Sequence, residues 1–405
     1  MKRVVVTGMG IWSCIGQDLQ TVTESLKKGR SCIIFDQERV NQGLHSGLAG
    51  CVPMPELKPF LSRQARATMS IESKYAYMVA RQAFEQAGIT EEYLRSNEVG
   101  IIFGSDGNAE GVAGLKILRE EKDTWILDPG SFFKGVTSSA SMNLATHLRL
   151  KGLNININAG CASASHAIGI ASTFIKNGLQ DIVLVGGANG YEVYMAAPFD
   201  ALNALSLRNN EPSTACRPFD KDRDGAITSA GAAALVLEDY EHAIARGATI
   251  FAEVIGYGFS SNDNGNIAMP DSEMTIRAMK KALLNAKLNI ADIDYINSCA
   301  SSAVLDDVIE AKALVKICNG HKIPISSTES MTGHEGWMGG ASAAIYSILM
   351  MCEGFVAPNI NLNSKIDEAQ DLNVVPKTLY QQVNTVLLDS IGLGGTCSAL
   401  VFRKI

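Results

Sequence analysis

The segment Asn154-Ile-Asn-Ile-Asn158-Ala159-Gly160-Cys161-Ala162-Ser163-Ala164-Ser165-His166 reads as a strand, a turn of small residues and the first turn of a helix whose pattern runs to Gly178. A strand that breaks at Gly160 and enters a helix directly is a sharp elbow, and it puts Cys161 at the helix start. Unpaired amides and the helix dipole there favour a thiolate, and the small neighbours leave space for an acyl chain. A structural cysteine is the competing reading, because free Cys packs as a small hydrophobe.

Outward from the elbow, short β-branched runs at 4–6, 99–103, 155–157, 182–185, 234–237 and 250–254 alternate with helical patterns such as 74–88 and 272–288. That alternation specifies an α/β fold with both faces of the sheet covered. A chain of 405 residues builds one large α/β body or two fused domains. Hydrophobic residues at 46%, charged residues at 19% and 37 Gly against 11 Pro exclude intrinsic disorder. A half-boundary near residue 250, ahead of the polar stretch 260–266, divides the chain into 1–250 and 251–405. The strand at 251–258 faintly echoes the opening strand-turn.

A net charge of −7 offers no general basic field for nucleic acid or an anionic membrane. No apolar run approaches the roughly 20 residues of a membrane span, and 345–351 fits a buried helix. The opening residues 1–8 resemble a strand and glycine turn rather than a secretion signal, so the cytoplasm is the expected location. Nine cysteines without CxxC or zinc-finger spacing argue against a disulfide scaffold and give no metal site.

Two further segments carry polar chemistry. Ile325-Ser-Ser-Thr-Glu329-Ser-Met-Thr-Gly-His334 leads into the small-residue run 339–344. His334, where loop becomes helix, either shuttles protons and donates to an acyl carbonyl or simply caps and packs. Gly392-Leu393-Gly394-Gly395-Thr396 lies between strand-like 385–388 and the closing strand 398–402, and its glycines permit a turn that aims amides at an oxyanion. Neither a Lys-Ser/Thr ending nor a GxGxxG context accompanies it, so no nucleotide or other cofactor is expected.

With Arg217-Pro-Phe-Asp-Lys-Asp-Arg-Asp-Gly225, this ordered set resembles the β-ketoacyl-acyl-carrier-protein synthase family, which includes the paired subunits of type II polyketide synthases, nearly end to end. The resemblance implies the thiolase fold: two similar βαβαβαβαα halves in a five-layer α/β/α/β/α body that dimerises. It implies that Cys161 takes the acyl chain, that the amides of Cys161 and Leu393 form the oxyanion hole, and that Leu393 replaces an aromatic gate. The family's signature Asn-Ala-His-Gly-Thr is Asn297-Ser-Cys299-Ala-Ser here, so Cys299 stands in place of a catalytic His; Asp307 and Glu310 fix that register.

Further departures accompany it: Glu329 for a Lys, Ala343 for a Glu, and Ser229-Ala-Gly231 for Gly-Glu-Gly. A thiol donates weakly, and losing one oxyanion donor costs about 10²–10³ in rate. The resemblance therefore implies a chain-length-factor-like subunit that pairs with a competent ketosynthase, although Cys161, which such subunits commonly lack, is kept. The alternatives are a homodimeric, active synthase with a Cys161/Cys299/His334 site and, less well matched, a thiolase using coenzyme A. An acyl carrier protein is the implied partner, with Arg63, Arg66 and Lys74 as docking candidates or ordinary solvated charges. Cys161 and Cys299 are expected to lie close together.

Overall fold

A computed structural model describes residues 1–105, 109–266 and 271–405. The β-branched runs fall in one eleven-stranded sheet made of β1 (Val4–Trp12), β2 (Gly100–Gly104), β3 (Asn154–Ile157), β4 (Ile182–Asn189), β5 (Gly231–Asp239), β6 (Ala252–Ser261), β7 (Tyr295–Asn297), β8 (Pro324–Ser326), β9 (Asn373–Val374), β10 (Thr385–Gly392) and β11 (Thr396–Arg403). Their order is β9-β8-β7-β10-β11-β6-β1-β5-β4-β2-β3.

The pairing repeats. In the first half β2 runs parallel to β3 and β4, and β4-β5-β1 is antiparallel. In the second, β7 runs parallel to β8 and β10, and β10-β11-β6 is antiparallel. The halves join where Val5 and Val6 of β1 meet Glu253 and Ala252 of β6.

Five layers follow from the period of two along each strand. Ile102, Val183, Val185, Leu235 and Leu237 share one central core with Val386, Leu388, Leu400 and Phe402 of the other half. Their neighbours Ile101, Phe103, Ile182, Leu184 and Val236 face the opposite way, onto helix α1 (Ile71–Gln86). In the second half, Leu387, Ala399 and Val401 face α3 (Ser272–Ala286) and α4 (Asp306–Cys318). Between the half-sheets lie α2 (Ser163–Lys176) and α5 (Gly339–Glu353), which touch strands of both. This is the five-layer thiolase-type arrangement.

The small residues at 339–344 are explained by the contact of α5 with α2. A Cβ on Gly340 would sit 2.5 Å from the Cβ of Ser165. The apolar stretch 345–351 is buried in α5. Among the described residues no helix is long and apolar enough to cross a membrane.

Two details differ from the sequence reading. Cys14 and Cys32, 18 residues apart, form a disulfide while the other seven cysteines are free. A single pairing is no scaffold, and nothing in the spacing marks it. Several strands run four to seven residues past the β-branched runs that mark them, as β1 does to Trp12 and β6 to Ser261, and helix starts move where caps decide: Ser70 accepts from the Ser73 amide and starts α1 ahead of residue 74.

Candidate active site

The elbow is held from both sides. Gly160 adopts a φ of +52°, and a Cβ there would lie 3.0 Å from the Leu393 amide nitrogen. Ser163 Oγ accepts from the Ala159 amide at 2.9 Å and donates to the Gly160 carbonyl at 2.6 Å. Cys161 therefore sits just ahead of the N-terminus of the 14-residue α2, half-buried. The hairpin between β10 and β11 packs onto this elbow: a Cβ on Gly392 would come within 2.4 Å of the Ala159 carbonyl oxygen. Leu393, at its tip, is 61% exposed.

His334 comes from the second half by an analogous device. A short helix, Glu329–Thr332, ends at Gly333 (φ +72°), and His334 follows before a 3-10 turn and α5. The His334 amide donates to the Ile227 carbonyl at 2.6 Å, and the Ser229 amide donates to the His334 carbonyl at 2.9 Å. The altered 229–231 segment thus supports the His334 main chain and does not line the reactive cavity, whereas Cys299, Glu329 and Ala343 do. Three of the four departures share one space; the fourth acts through the backbone.

His334 Nε2 lies 2.9 Å from Cys161 Sγ, and its Nδ1 lies 2.9 and 3.1 Å from the two Glu329 oxygens. The three side chains form one line through the imidazole. Burial disfavours the imidazolium, yet the Glu329 carboxylate and the Cys161 sulfur hold the His334 pKa well above its ordinary value. Burial raises the Glu329 carboxyl, with His334 opposing.

Cys299 takes no part in that line. Its amide donates to Glu310 Oε1 at 3.0 Å, and its Sγ points at Glu310 Oε2 (3.6 Å) and Asp389 Oδ2 (3.9 Å). Burial first, then these two acids, push the thiol well up, so it stays neutral. Glu310 is itself raised by burial and by Asp389, and burial pushes Asp389 up to about 7. Cys161 and Cys299 line the same cavity of about 20 Å³, and both are free. A larger surface hollow of about 700 Å³ near Arg81 and His147 contains none of these residues.

Several neighbours were not singled out by sequence. His166 bonds Tyr257 OH at 2.7 Å through Nδ1 and Thr396 Oγ1 at 3.0 Å through Nε2, and burial drops its pKa to about 4. It is a neutral tie between α2 and the glycine hairpin. Glu335 accepts from Ser13 Oγ (2.8 Å), Tyr346 OH (2.9 Å) and Ser342 Oγ. The 217–225 signature is architectural: Phe219, at φ +63°, donates its amide to Asp307 Oδ2 at 2.8 Å, and Arg223 approaches the same carboxylate at 3.5 Å. Arg63 is exposed, whereas Arg66 and Lys74 are half-buried, and none of the three lines the cavity.

Comparison with known proteins fits this geometry. The N-terminal domain of β-ketoacyl synthases matches residues 1–243 and the C-terminal domain residues 251–363. The 3-oxoacyl-[acyl-carrier-protein] synthase 1 of Escherichia coli (strain K12) is 38% identical, covering 100% of both chains. A β-ketoacyl synthase from Burkholderia phymatum STM815 superposes with a TM-score of 0.96 at 33% identity, covering 100% of both. The ishigamide ketosynthase/chain length factor gives 0.93 at 30%, covering 100% of this chain and 99% of that one. A type II polyketide synthase acyl-carrier protein in complex with its ketosynthase gives 0.89 at 27%, with the same coverage.

Proposed function

The chain belongs to the β-ketoacyl synthase family, and from that premise we propose that it is a chain-length-factor-like subunit of a type II fatty acid or polyketide synthase. In this role it pairs with a condensation-competent ketosynthase, bounds the tunnel for the growing chain and meets an acyl carrier protein. The observation that carries the reading is the direction of Cys299. Where the family resemblance expects an imidazole N–H aimed at the thioester oxygen, a neutral thiol is turned toward Glu310 and Asp389. Loss of one such donor costs about 10²–10³ in rate.

Pairing is supported at the sheet edge. Among the described residues β3 has a neighbour on one side only, and its residues are half-buried or exposed. An open edge strand is a template for a second chain, and this one leads straight into the Cys161 elbow. Large apolar side chains such as Trp125 (94%) and Phe132 (70%) also stand exposed. Arg63 offers an exposed basic contact for an acidic carrier, and Arg66 and Lys74 are half-buried. Neighbouring structures include both a ketosynthase/chain length factor and a carrier–ketosynthase complex.

The intact Cys161–His334 contact favours a second reading, an active synthase with an atypical site, in which the amides of Cys161 and Leu393 form the oxyanion hole. Co-expression with ketosynthases encoded beside this chain, followed by sizing and assay with malonyl carrier, separates the two. A stable heterodimer that condenses, beside a chain that alone does not, supports the first; a self-sufficient homodimer overturns it.

A further inference from the structure

We propose that Cys161, His334 and Glu329 form a hydrolytic relay that takes an acyl group from a carrier-protein thioester and releases it to water. The inference rests on the preceding reading in one respect, that this site is loaded from an acyl carrier yet is not built to condense.

Covalent hydrolysis needs a nucleophile, a base within hydrogen-bond reach and a third group that orients the base. Cys161 Sγ, His334 and Glu329 meet those requirements at 2.9 Å on each side of one imidazole ring. In the neutral ring, a carboxylate at Nδ1 fixes the hydrogen there and leaves the Nε2 lone pair to sulfur, and once Nε2 has taken a proton the same carboxylate stabilises the imidazolium. A lysine at position 329, as the family resemblance expects, cannot do so, because an ammonium has no acceptor. The charge reversal that looks damaging for handling a malonyl carboxylate is therefore the change that completes a relay. With Glu329 in contact, His334 also binds a proton more firmly than an ordinary histidine, despite its burial.

The cavity has the size for the second reactant. At about 20 Å³, bounded by Cys161, Cys299, Glu329, His334, Ala343 and Asp389, it exceeds the roughly 10–15 Å³ that one water requires. Ala343 forms one wall where the family resemblance expects a glutamate.

The chemistry balances without a further reactant. His334 Nε2 takes the Cys161 proton as sulfur attacks the thioester carbonyl. The bond to the carrier's sulfur breaks, and that thiol leaves with the proton from His334. Water then attacks the acyl-Cys161 carbonyl while His334 accepts one of its protons. The carbon–Sγ bond breaks, Sγ recovers the proton from His334, and a carboxylic acid departs. The sum is acyl thioester plus water giving acid plus free thiol. Cys161 and His334 are the catalytic residues; Glu329 positions His334.

The test uses the purified full chain with octanoyl-carrier protein and no malonyl carrier, reading free thiol, octanoate and intact mass with time. The expected result is multiple turnovers through an octanoyl adduct on Cys161, abolished in Cys161→Ala. Glu329→Gln slows release by about 10²–10⁴. It also moves the inflection of the release rate to lower pH, which a merely structural role would not do, and Glu329→Asp recovers part of the rate. An adduct that persists, release that survives Cys161→Ala, or a Glu329→Gln variant with unchanged rate and pH profile overturns the proposal. A parallel arm with malonyl carrier keeps the two readings apart. An elongated product from this chain alone sinks the chain-length-factor reading, whereas failed release sinks only the hydrolytic one.

Discussion

Glu329 holds the Nδ1 edge of His334 at 2.9 Å, from five residues upstream across the Gly333 turn. The pairing gives His334 a fixed orientation and a charge partner inside a buried site, and it leaves the other ring edge to Cys161. Cys299, by contrast, faces Glu310 and Asp389 and makes no contact with that line.

Replacing Glu329 by Gln removes the largest charge that sustains the raised His334 pKa, and burial then acts in the opposite direction against the Cys161 sulfur only. The His334 pKa is expected to fall toward or below the ordinary value of about 6.5. Histidine NMR titration checks this readily in a chain with six His. An unchanged titration contradicts the pairing.

Cys299→His restores the imidazole donor. Decarboxylation of malonyl carrier by this chain alone is expected to rise by about 10²–10³, the scale of one oxyanion donor. Carbon dioxide release from labelled malonyl carrier is the readout, and no gain would show that Glu329, Ala343 or the acids beside Cys299 limit the site instead.

Stability is expected to fall as pH rises from about 5 to 8. Burial pushes Glu335, Asp307 and Asp389 up to about 7 in the folded chain, whereas unfolded carboxyls titrate near 4. Between those values the folded state holds protons that the unfolded state has lost, so the stabilisation is full below about 4 and disappears through about 7. Glu238 and Glu253 are shifted downward and act oppositely, but only below their unfolded values near 4.5. Glu335→Gln should flatten the slope of Tm against pH and gain about 3 kcal/mol at pH 8 relative to pH 4. A slope unchanged by that substitution contradicts the assignment.

Gly340→Ala tests the central layer. The added methyl meets Ser165 at 2.5 Å between α2 and α5, and overpacking of this kind costs about 1–3 kcal/mol. The urea midpoint should fall accordingly. Because Ser165 lies four residues after Cys161, acylation of Cys161 should slow as well.

Much of this architecture is legible in sequence because it follows from local rules. The run 154–166 specifies a strand, an elbow at Gly160 and a helix start from small-residue geometry alone. Apolar strands such as 182–185 show no alternation because both their faces are covered, one by the central core and one by α1. The β10–β11 hairpin is marked by its own glycines. Pairings across the chain carry no local mark. Ser13 reaches Glu335 over 322 residues, and Asp389 meets Cys299 over 90. Cys14 and Cys32 are joined because the turn after β1 and the segment after the helix Leu19–Lys28 return to the same place. Even the five-residue step from Glu329 to His334 is hidden, since a continuous helix would separate those side chains and the turn at Gly333 brings them together.

If this chain takes up an acyl group but leaves condensation to a partner, intact-mass and product analysis with acyl carrier and malonyl carrier, for the chain alone and with its co-expressed ketosynthase, separates the two roles. The chain alone is expected to give no elongated product, and the pair to give elongated product that survives Cys161→Ala in this subunit. Elongated product from the chain alone, lost on Cys161→Ala, would contradict that division.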